Sequence, residues 1–531
     1  MTSLWLDGRA AAPSTPFVDG ATYDDVIVGA GLTGLTTAVM LARAGRRVVV
    51  LEALTVGAFA TGNTTGKVSL LQGSRLSTIR SHHSRRLLRA YVESNRDGQE
   101  WLLGFADESG VPYEQRTAYS YSQHDGGASA VDDEYRAARQ AGLDVSLVSG
   151  RDLETTFPFA FGVALPGQAQ LDAMDVLDAL AREFLVAGGV LHTGARVTSI
   201  RARKPVRVTT PLGTVFGRTA VLATATPILD RGLYFAKTTG LRSYALAFEL
   251  PDARPGDLVD GMFLSVGDSA EAGSRSVRTA TRASDGTELL VVGGNGHTVG
   301  RPGAKSEAER LDQLRAWTTL FFPGAVETNA WSAQDYESHN LIPFVGALPR
   351  GRGRVYLATG YAKWGLTNGV AAALRLRSEI LGEPRRERAH WHRVLGTRVT
   401  RPADLGKGAV AGAEVGVEAV SGWWQAETRT VPVPRPAEGT GVVARSKGRP
   451  VGVSTVGGTT CAVSAVCPHL GGVLEWNDAE RSWDCPLHAS RFTASGTRIE
   501  GPALSDLEQL PRTPAGRRAA RRAAREAVST R

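Results

Sequence analysis

Short apolar runs separated by glycine-rich turns predict alternating strands and helices at the start of the chain. The run from Tyr23 to Val28 suits a strand buried on both faces of a parallel sheet. The segment LTTAVMLARAG follows, and its apolar spacing and final Gly45 predict a helix with a glycine stop. A second strand is predicted from Arg47 to Leu51. This order of elements indicates an α/β domain.

The turn between the first strand and the helix carries a glycine motif suited to a dinucleotide. Its residues include Gly29, Ala30, Gly31, Thr33 and Gly34, in the pattern GxGxxG. The first glycine permits a tight turn, the second lets the backbone approach a pyrophosphate, and the third lets helix and strand pack closely. Glu52 follows Gly34 by 18 residues, where a carboxylate can bind the adenosine ribose hydroxyls. The motif leaves open whether FAD or NAD is bound.

A second group of candidate ligands lies near the C-terminus, in the pattern CxH followed by CxxH. Its members are Cys467, His469, Cys485 and His488, with 15 residues between the two pairs. This set suits a [2Fe-2S] cluster in which the cysteines hold one iron and the histidines the other. A structural zinc site is the alternative, although zinc sites more often use CxxC pairs. Cys461 lies in the strand-like run CAVSAV and is expected to be a buried core thiol.

Beyond Glu52, the chain resembles the D-amino-acid, glycine and sarcosine oxidase superfamily of flavoproteins, and especially its bacterial branch fused to a C-terminal Rieske domain. The likeness extends from residue 23 to about 385 and is carried by residues 61–73 (TGNTTGKVSLLQG), 168–200, 222–227 (LATATP), 331–348 and 355–369 (VYLATGYAKWGLTNG). The resemblance implies an α/β FAD-binding Rossmann-like domain with an interleaved α+β substrate domain. A small C-terminal all-β Rieske domain follows.

The resemblance also implies which residues contact FAD. Besides the glycine turn and Glu52, they are Thr64, Val197, Gly360, Gly365, Leu366 and Thr367. Some members of the superfamily tether FAD through Cys or His. Here no Cys precedes Cys461 and no His follows closely after Glu52, so we expect non-covalent FAD.

Residues 434–510 resemble Rieske domains, with Gly471, Pro486 and Arg491 among the similar positions. Many fused relatives carry two further cysteines that join the cluster loops in a disulfide. Gly472 and Leu487 stand there instead, so no loop disulfide is expected. In this respect the domain resembles the ferredoxin and oxygenase type, whose potentials lie low in the Rieske range. We expect an FAD-dependent oxidoreductase region at 1–385, a linker at 386–433, the Rieske domain at 434–511 and an Arg-rich tail at 512–531.

The resemblance implies dehydrogenation of a carbon next to an amine or a hydroxyl, with hydride passing to FAD. A cluster that takes one electron at a time can then accept the two electrons of FADH2 in turn. Candidate catalytic residues in family-like loops are His297, Tyr361 and Lys363, and Trp364 and Arg242 are further polar neighbours. The substrate is expected to be a small amine or amino acid, and since no Arg is identifiable as a carboxylate clamp, an amino acid is not established. The electron acceptor stays unknown. An oxygen-using amine oxidase with a structural Rieske domain is the alternative, and a non-enzymatic electron carrier ranks third.

Charge and hydropathy narrow the expected partners and location. The 531-residue chain carries a net charge of +8, but its last 20 residues contain seven Arg and one Glu, a net of +6. The remainder is therefore nearly neutral, and we expect no nucleic-acid partner. No apolar run approaches the roughly 18 residues of a membrane span, and no secretory signal opens the sequence. A cytoplasmic location is expected.

Overall fold

The computed structural model describes residues 1–510 apart from 154, 230–231, 254–257, 269–272, 302, 397–434 and 447. The described chain divides into two compact units. The first contains Met1–Gly296 and continues from Arg310 to residue 396, and the second contains His297–Glu309 and residues 435–510. A segment from inside the predicted oxidoreductase region thus belongs to the second unit. Residues 397–433 of the predicted linker and the predicted tail at 512–531 lie outside the described residues.

Up to residue 396 the chain contains eighteen strands and eight α-helices among the described residues. The strands are β1 (Asp25–Val28), β2 (Val48–Leu51), β3 (Lys67–Val68), β4 (Tyr113–Ser122), β5 (Ser146–Ser149), β6 (Phe161–Leu171), β7 (Val190–His192), β8 (Ser199–Arg201), β9 (Val206–Thr210), β10 (Gly213–Gly217), β11 (Thr219–Leu222), β12 (Thr238–Glu249), β13 (Met262–Ser265), β14 (Arg275–Thr281), β15 (Glu288–Thr298), β16 (Val326–Ser338), β17 (Phe344–Ala347) and β18 (Val355–Thr359). The helices are α1 (Leu32–Arg43), α2 (Arg75–His82), α3 (Arg85–Ser109), α4 (Ala128–Ala141), α5 (Ala173–Val186), α6 (Glu307–Phe321), α7 (Gly365–Ile380) and α8 (His390–Val394).

A six-stranded sheet in the order β17-β18-β11-β1-β2-β7 forms the α/β part of the first unit. Every neighbouring pair is parallel except β17 and β18. Side chains alternate between its faces, so Ile27 joins the apolar core with α1, α5 and α7, whereas Val26 and Val28 pack with the small sheet β10-β9-β8. The predicted strand–helix–strand start is confirmed by β1, α1 and β2.

A nine-stranded sheet forms the other part of the first unit, in the order β16-β12-β15-β14-β13-β4-β6-β3, with β5 beside β6. The chain leaves the six-stranded sheet after β2, builds β3 to β6, and returns for β7. It leaves again after β11 and comes back at β17. This repeated exchange between sheets is the interleaved α+β domain that the resemblance implied.

The first residues of the predicted linker fold onto the first unit. They form α8, in which Trp391 is only 4% exposed. Its indole Nε1 donates to Asp97 Oδ2 at 2.6 Å, and the ring packs among apolar side chains of α3. One buried aromatic ring therefore holds a helix in a segment whose composition alone indicated a linker.

The second unit is built of short antiparallel strands. They are β19 (Gly441–Ser446), β20 (Arg449–Val456), β21 (Thr459–Ser464), β22 (Glu475–Asn477), β23 (Ser482–Asp484), β24 (Arg491–Thr493) and β25 (Arg498–Glu500). They form the sheets β19-β20-β21 and β22-β23-β24-β25. Trp483 and Phe492, both fully buried, lie in its core. No helix among the described residues has the length and apolar character needed to cross a bilayer.

Candidate functional site

The glycine turn brings β1 and α1 into close contact. Gly29 has a φ of 104°, in the region that favours glycine, and its N–H donates to Leu51 O at 2.9 Å. A Cβ on Gly34 would lie 1.9 Å from Gly29 O. Any side chain at residue 34 would therefore push α1 away from the strand. This geometry agrees with the reason predicted for Gly34, the third glycine of the motif, which is close packing of helix against strand.

Glu52 is placed at the end of β2, beside the glycine turn. Its carboxylate accepts hydrogen bonds from the N–H groups of Ala30, at 2.8 Å, and Leu54, at 2.9 Å. Burial raises the pKa of Glu52, and these N–H groups oppose the shift. Each oxygen retains capacity for a further donor, such as a ribose hydroxyl.

The N-terminus of α1 is suited to bind an anion. Gly31 at the start of the helix has no side chain to cap it, and the first turn contains no acidic residue. The hydroxyl of Thr61 accepts the N–H of Leu32 at 3.2 Å. Free N–H groups and the positive end of a helix dipole together favour a phosphate. Thr61 lies in a stretch that resembles the flavoprotein superfamily, but the sequence contains no sign of its contact with α1.

The predicted flavin turn lies next to α1. The hydroxyls of Tyr361 and Thr33 are hydrogen-bonded at 3.0 Å, so the candidate catalytic Tyr361 reaches the dinucleotide turn. Gly360 precedes it with a φ of 86°, and Gly365 begins α7. Thr367 is buried with its hydroxyl donating to Asn95 Oδ1 at 2.6 Å. The side chain of Thr367 thus anchors α7 to α3 and leaves the backbone of the turn for a ligand.

The remaining residues assigned to the cofactor by resemblance are dispersed around this turn. Leu366 is buried in α7, and Trp364 precedes that helix. Val197 lies in the connection after β7 and packs with Val28 at the end of β1, although the resemblance had suggested a strand there. Thr64 accepts the N–H of Gly66 on its hydroxyl at 3.3 Å.

Lys67, which follows Thr64 closely in the chain, and Arg278 on β14 are buried basic residues that sequence reasoning did not identify. Lys67 Nζ donates to the hydroxyls of Ser276, at 2.6 Å, and Thr65, at 3.2 Å. Burial, with a contribution from Arg278, holds the pKa of Lys67 well below its usual value. Burial likewise lowers the pKa of Arg278 to about 10, despite Glu114 and Asp172 nearby.

Lys363, the candidate catalytic cation, is paired with Asp335. Lys363 has a φ of 73° and follows Ala362 at 50°, so two consecutive non-glycine residues adopt the left-handed region. Its backbone N–H donates to the Asp335 carboxylate, and its ammonium group interacts electrostatically with the same carboxylate. Burial, partly offset by Lys363, raises the pKa of Asp335 to about 6. The spacing of Asp335 and Lys363 in the sequence gave no sign of this pair.

The other two polar candidates occupy separate positions. Arg242 is fully buried on β12 and donates to Ser332 Oγ at 2.8 Å and Gln334 Oε1 at 2.7 Å on β16. His297 belongs to the second unit, where its Nε2 lies 3.6 Å from Glu307 Oε1. Both side chains of that pair are more than nine-tenths buried.

The four candidate metal ligands lie on two loops with the same backbone pattern. In each loop the cysteine N–H donates to the carbonyl five residues later, and its carbonyl accepts the N–H four residues later. The bonds are Cys467 N to Gly472 O at 2.8 Å, Gly471 N to Cys467 O at 3.0 Å, Cys485 N to Ser490 O at 2.8 Å and Ala489 N to Cys485 O at 3.0 Å. The donor of the second bond is left-handed in both loops, with φ of 79° at Gly471 and 59° at Ala489.

These loops bring the four ligands together. Cys467 and Cys485 are buried and are not disulfide-bonded, and the rings of His469 and His488 lie 5.1 Å apart at 83°. The thiols are hydrogen-bonded to each other, which lowers the pKa of Cys467 and raises that of Cys485. Among the described residues, no three His, Cys, Asp or Glu side chains surround a single metal position. Two thiols and two imidazoles are the donor set of a Rieske [2Fe-2S] cluster, in which each pair holds one iron.

An apolar contact stands where relatives carry the loop disulfide. A Cβ on Gly472 would lie 2.7 Å from Leu487 Cδ1, so the leucine side chain covers the glycine backbone. Cys461 is an unbridged thiol on β21. It is half-buried, so the expectation of a buried core thiol was wrong.

Comparisons with known proteins match both parts of the chain. The relative YhfW of Bacillus subtilis (strain 168), named as a Rieske 2Fe-2S iron-sulfur protein, is 29% identical over 507 residues, covering 94% of this chain and 95% of YhfW. Glycine oxidase from Geobacillus kaustophilus has a similar fold, with a TM-score of 0.56 at 19% identity over 68% of this chain and 96% of that one. L-Proline dehydrogenase from P. horikoshii gives 0.55 at 15% identity over 69% of this chain and 95% of that one.

Two family models complete this assignment. The Rieske [2Fe-2S] domain matches residues 424–511, and the FAD dependent oxidoreductase family matches residues 24–378. The N-terminus of α1 and the acceptor oxygens of Glu52 fit the phosphates and ribose of FAD. The paired thiols and facing imidazoles fit a [2Fe-2S] cluster. The chain belongs to the FAD dependent oxidoreductase family, as an enzyme that binds FAD and carries a [2Fe-2S] cluster in a C-terminal Rieske domain.

Proposed function

We propose that this enzyme dehydrogenates a small amine or amino acid and passes the electrons through its Rieske cluster to an external one-electron acceptor. Oxidation of the C–N bond to an imine releases a hydride equivalent and a proton. FAD supplies the two-electron acceptor, and the cluster carries one electron at a time. Two electrons therefore leave through the cluster for each substrate oxidised.

The observation that carries this proposal is the complete cluster site in the same chain as the FAD fold. Both thiols are buried, whereas the two histidines are half-buried. A purely structural role requires no such arrangement, but electron transfer benefits from a cluster whose histidine side is open to a partner. Such a cluster links FAD chemistry to one-electron carriers.

In the proposed site, Lys363 orients the substrate, and Asp335 holds Lys363 in its left-handed turn. Tyr361 supports the turn through Thr33, and Lys67 donates a hydrogen bond to Ser276 near the cofactor segment. His297 belongs to the second unit, and its catalytic role stays a prediction. Glycine oxidase and L-proline dehydrogenase are named for amino acid substrates, which supports the same substrate class here.

An oxygen-using amine oxidase with a structural Rieske domain is the second candidate. The similar fold of a glycine oxidase favours it. The two candidates differ in one respect: an oxidase reoxidises its FAD with oxygen at the same rate whether or not the cluster is present.

The test is anaerobic mixing of the loaded enzyme with glycine, sarcosine, and the D and L forms of alanine and proline. Flavin absorbance and the electron paramagnetic resonance (EPR) signal of the reduced cluster are recorded together. A substrate that bleaches the flavin and then produces the cluster signal supports the relay. Flavin bleaching with an intact cluster that stays oxidised would refute it and favour the oxidase.

Cys467→Ser and Cys461→Ser form a matched pair for this test. Cys467→Ser should remove the cluster, leave substrate-dependent flavin bleaching, and abolish reduction of an added one-electron acceptor such as ferricyanide. Cys461→Ser removes a thiol outside the cluster loops and should behave as the wild type. Equal ferricyanide reduction by both variants would contradict the proposed route.

A further inference from the structure

The segment His297–Glu309 forms part of the iron–sulfur unit, although it is distant from the Rieske domain in sequence. Gly300 lies directly on the second cluster loop: a Cβ there would come within 2.6 Å of Pro486 N and 2.9 Å of Cys485 C. Its φ of 68° also favours glycine. Only a residue without a side chain allows the segment this close to the ligand loop.

Arg301, the next residue, is hydrogen-bonded to the same loop. Its Nε donates to Pro486 O at 3.1 Å. That carbonyl belongs to the peptide unit whose N–H is on Leu487, and the Leu487 N–H donates to the sulfur of Cys485. A single peptide group therefore connects Arg301 to the ligand sulfur. Its carbonyl oxygen accepts from the guanidinium, and its N–H donates to the sulfur of Cys485.

We propose that Arg301 raises the reduction potential of the Rieske cluster through the Pro486–Leu487 peptide. Hydrogen bonds in series polarise one another, so a cationic donor on the carbonyl strengthens the N–H bond to the sulfur. Hydrogen bonds to cluster sulfurs and nearby positive charge stabilise the reduced, more negative form. Arg301 is thus a positioning residue that acts on the cluster through the loop.

This inference concerns the cluster alone and does not depend on the substrate. Its consequence is that the potential of the C-terminal domain is set partly by a residue encoded nearly two hundred positions earlier. The second cluster loop alone lacks this donor. A Rieske domain with identical ligand loops but no such segment should therefore have a lower potential.

The experiment is an EPR-monitored redox titration of full-length, FAD- and cluster-loaded protein. Arg301→Gln removes the charge and the Nε donor, and its midpoint potential should fall below that of the wild type. Arg449→Gln removes the same charge from an exposed position on β20 of the same unit and should leave the potential unchanged. The FAD absorbance spectrum serves as an internal check that the rest of the protein is unaltered.

Arg301→Lys separates hydrogen bonding from charge. It keeps the positive charge but lacks the Nε donor, so its potential should lie between those of the wild type and Arg301→Gln. A wild-type potential in Arg301→Gln, or an equal shift in Arg301→Gln and Arg449→Gln, would overturn the proposal. If Arg301→Gln does not retain the cluster, Arg301→Lys decides alone: a lowered potential supports the proposal and an unchanged one refutes it.

Discussion

At the scale of single residues, Asp335 links a buried carboxylate to the turn that we propose for the substrate. Its backbone partner and its nearest cation are both supplied by Lys363, and Glu337 and Arg75 add smaller contributions of opposite sign. Because Lys363 is held in a left-handed conformation, the carboxylate compensates for a strained backbone as well as a positive charge. Its protonation should therefore affect both stability and the turn.

Asp335→Asn should change how stability depends on pH. The pKa of Asp335 is raised from 3.8 to about 6 in the folded protein, so between these values the folded state binds more protons than the unfolded state. Asp335 alone therefore lowers the stability of the wild type by about 1–3 kcal/mol as pH rises from 4 to 6, and this contribution should be absent from the Asn variant. Chemical denaturation of both proteins at several pH values measures the difference. Parallel pH profiles would show that Asp335 is not the titrating group.

At the scale of elements, the two cluster loops share one backbone design but fill its left-handed position differently. A Cβ on Gly471 would meet no atom within 4 Å, so only its φ of 79° opposes substitution. Ala489 accepts the same conformation in the second loop, where its methyl group is buried. Burial of that methyl group offsets part of the backbone cost.

Gly471→Ala should lower the stability of the second unit by about 1–2 kcal/mol, because a non-glycine residue is strained in this region. Ala489→Gly should change it by less than about 1 kcal/mol, since relief of strain and loss of methyl burial oppose each other. Thermal loss of the cluster absorbance reports both effects.

Gly458→Ala is the control for Gly471→Ala. Gly458 has a φ of 72° and no atom near a Cβ, but it lies in the β20–β21 turn, outside the cluster loops. It should lower the temperature of cluster loss by a similar amount, because the backbone strain is similar. An unchanged Gly471→Ala would contradict the argument.

The sequence predicted the elements whose determinants are local. The glycine turn, Glu52 and the strand–helix–strand start follow from spacing along a short stretch, and so do the four candidate cluster ligands. The pairing of Asp335 with Lys363 and the contact of Lys67 with Ser276 join segments far apart in the chain. Trp391 likewise has a buried position that depends on Asp97 of a distant helix. Apolar periodicity contains no information on such long-range contacts.

At the scale of the whole molecule, the iron–sulfur unit is assembled from two separate parts of the sequence. Besides Gly300 and Arg301, its inserted segment provides Ala308, whose N–H donates to Asp478 Oδ1 at 2.9 Å. Because α6 begins at Glu307, this carboxylate satisfies an N–H group in the first turn of the helix. A residue of the Rieske domain thus acts as a helix cap for a segment 170 positions away.

Asp478→Ala should weaken this attachment by about 0.5–2 kcal/mol, the usual effect of removing a helix-capping side chain. The cluster should then be lost at a lower temperature, while FAD remains bound. Asp478→Asn keeps an acceptor oxygen and should remain close to the wild type. Heating with simultaneous detection of cluster and flavin absorbance makes the measurement. Equal behaviour of the two variants would show that the carboxylate bond does not stabilise the unit.

The inserted segment also limits how such proteins can exchange parts. A recombination event or an engineered chimera that replaced only the C-terminal domain would bring a new ligand loop against an old Gly300 and Arg301. Side chains that suit one loop need not suit another, so the segment and the loop are expected to change together in descent. Exchange of the Rieske domain between such proteins is therefore expected to need two crossover regions. One precedes the C-terminal domain, and the other lies inside the oxidoreductase coding sequence.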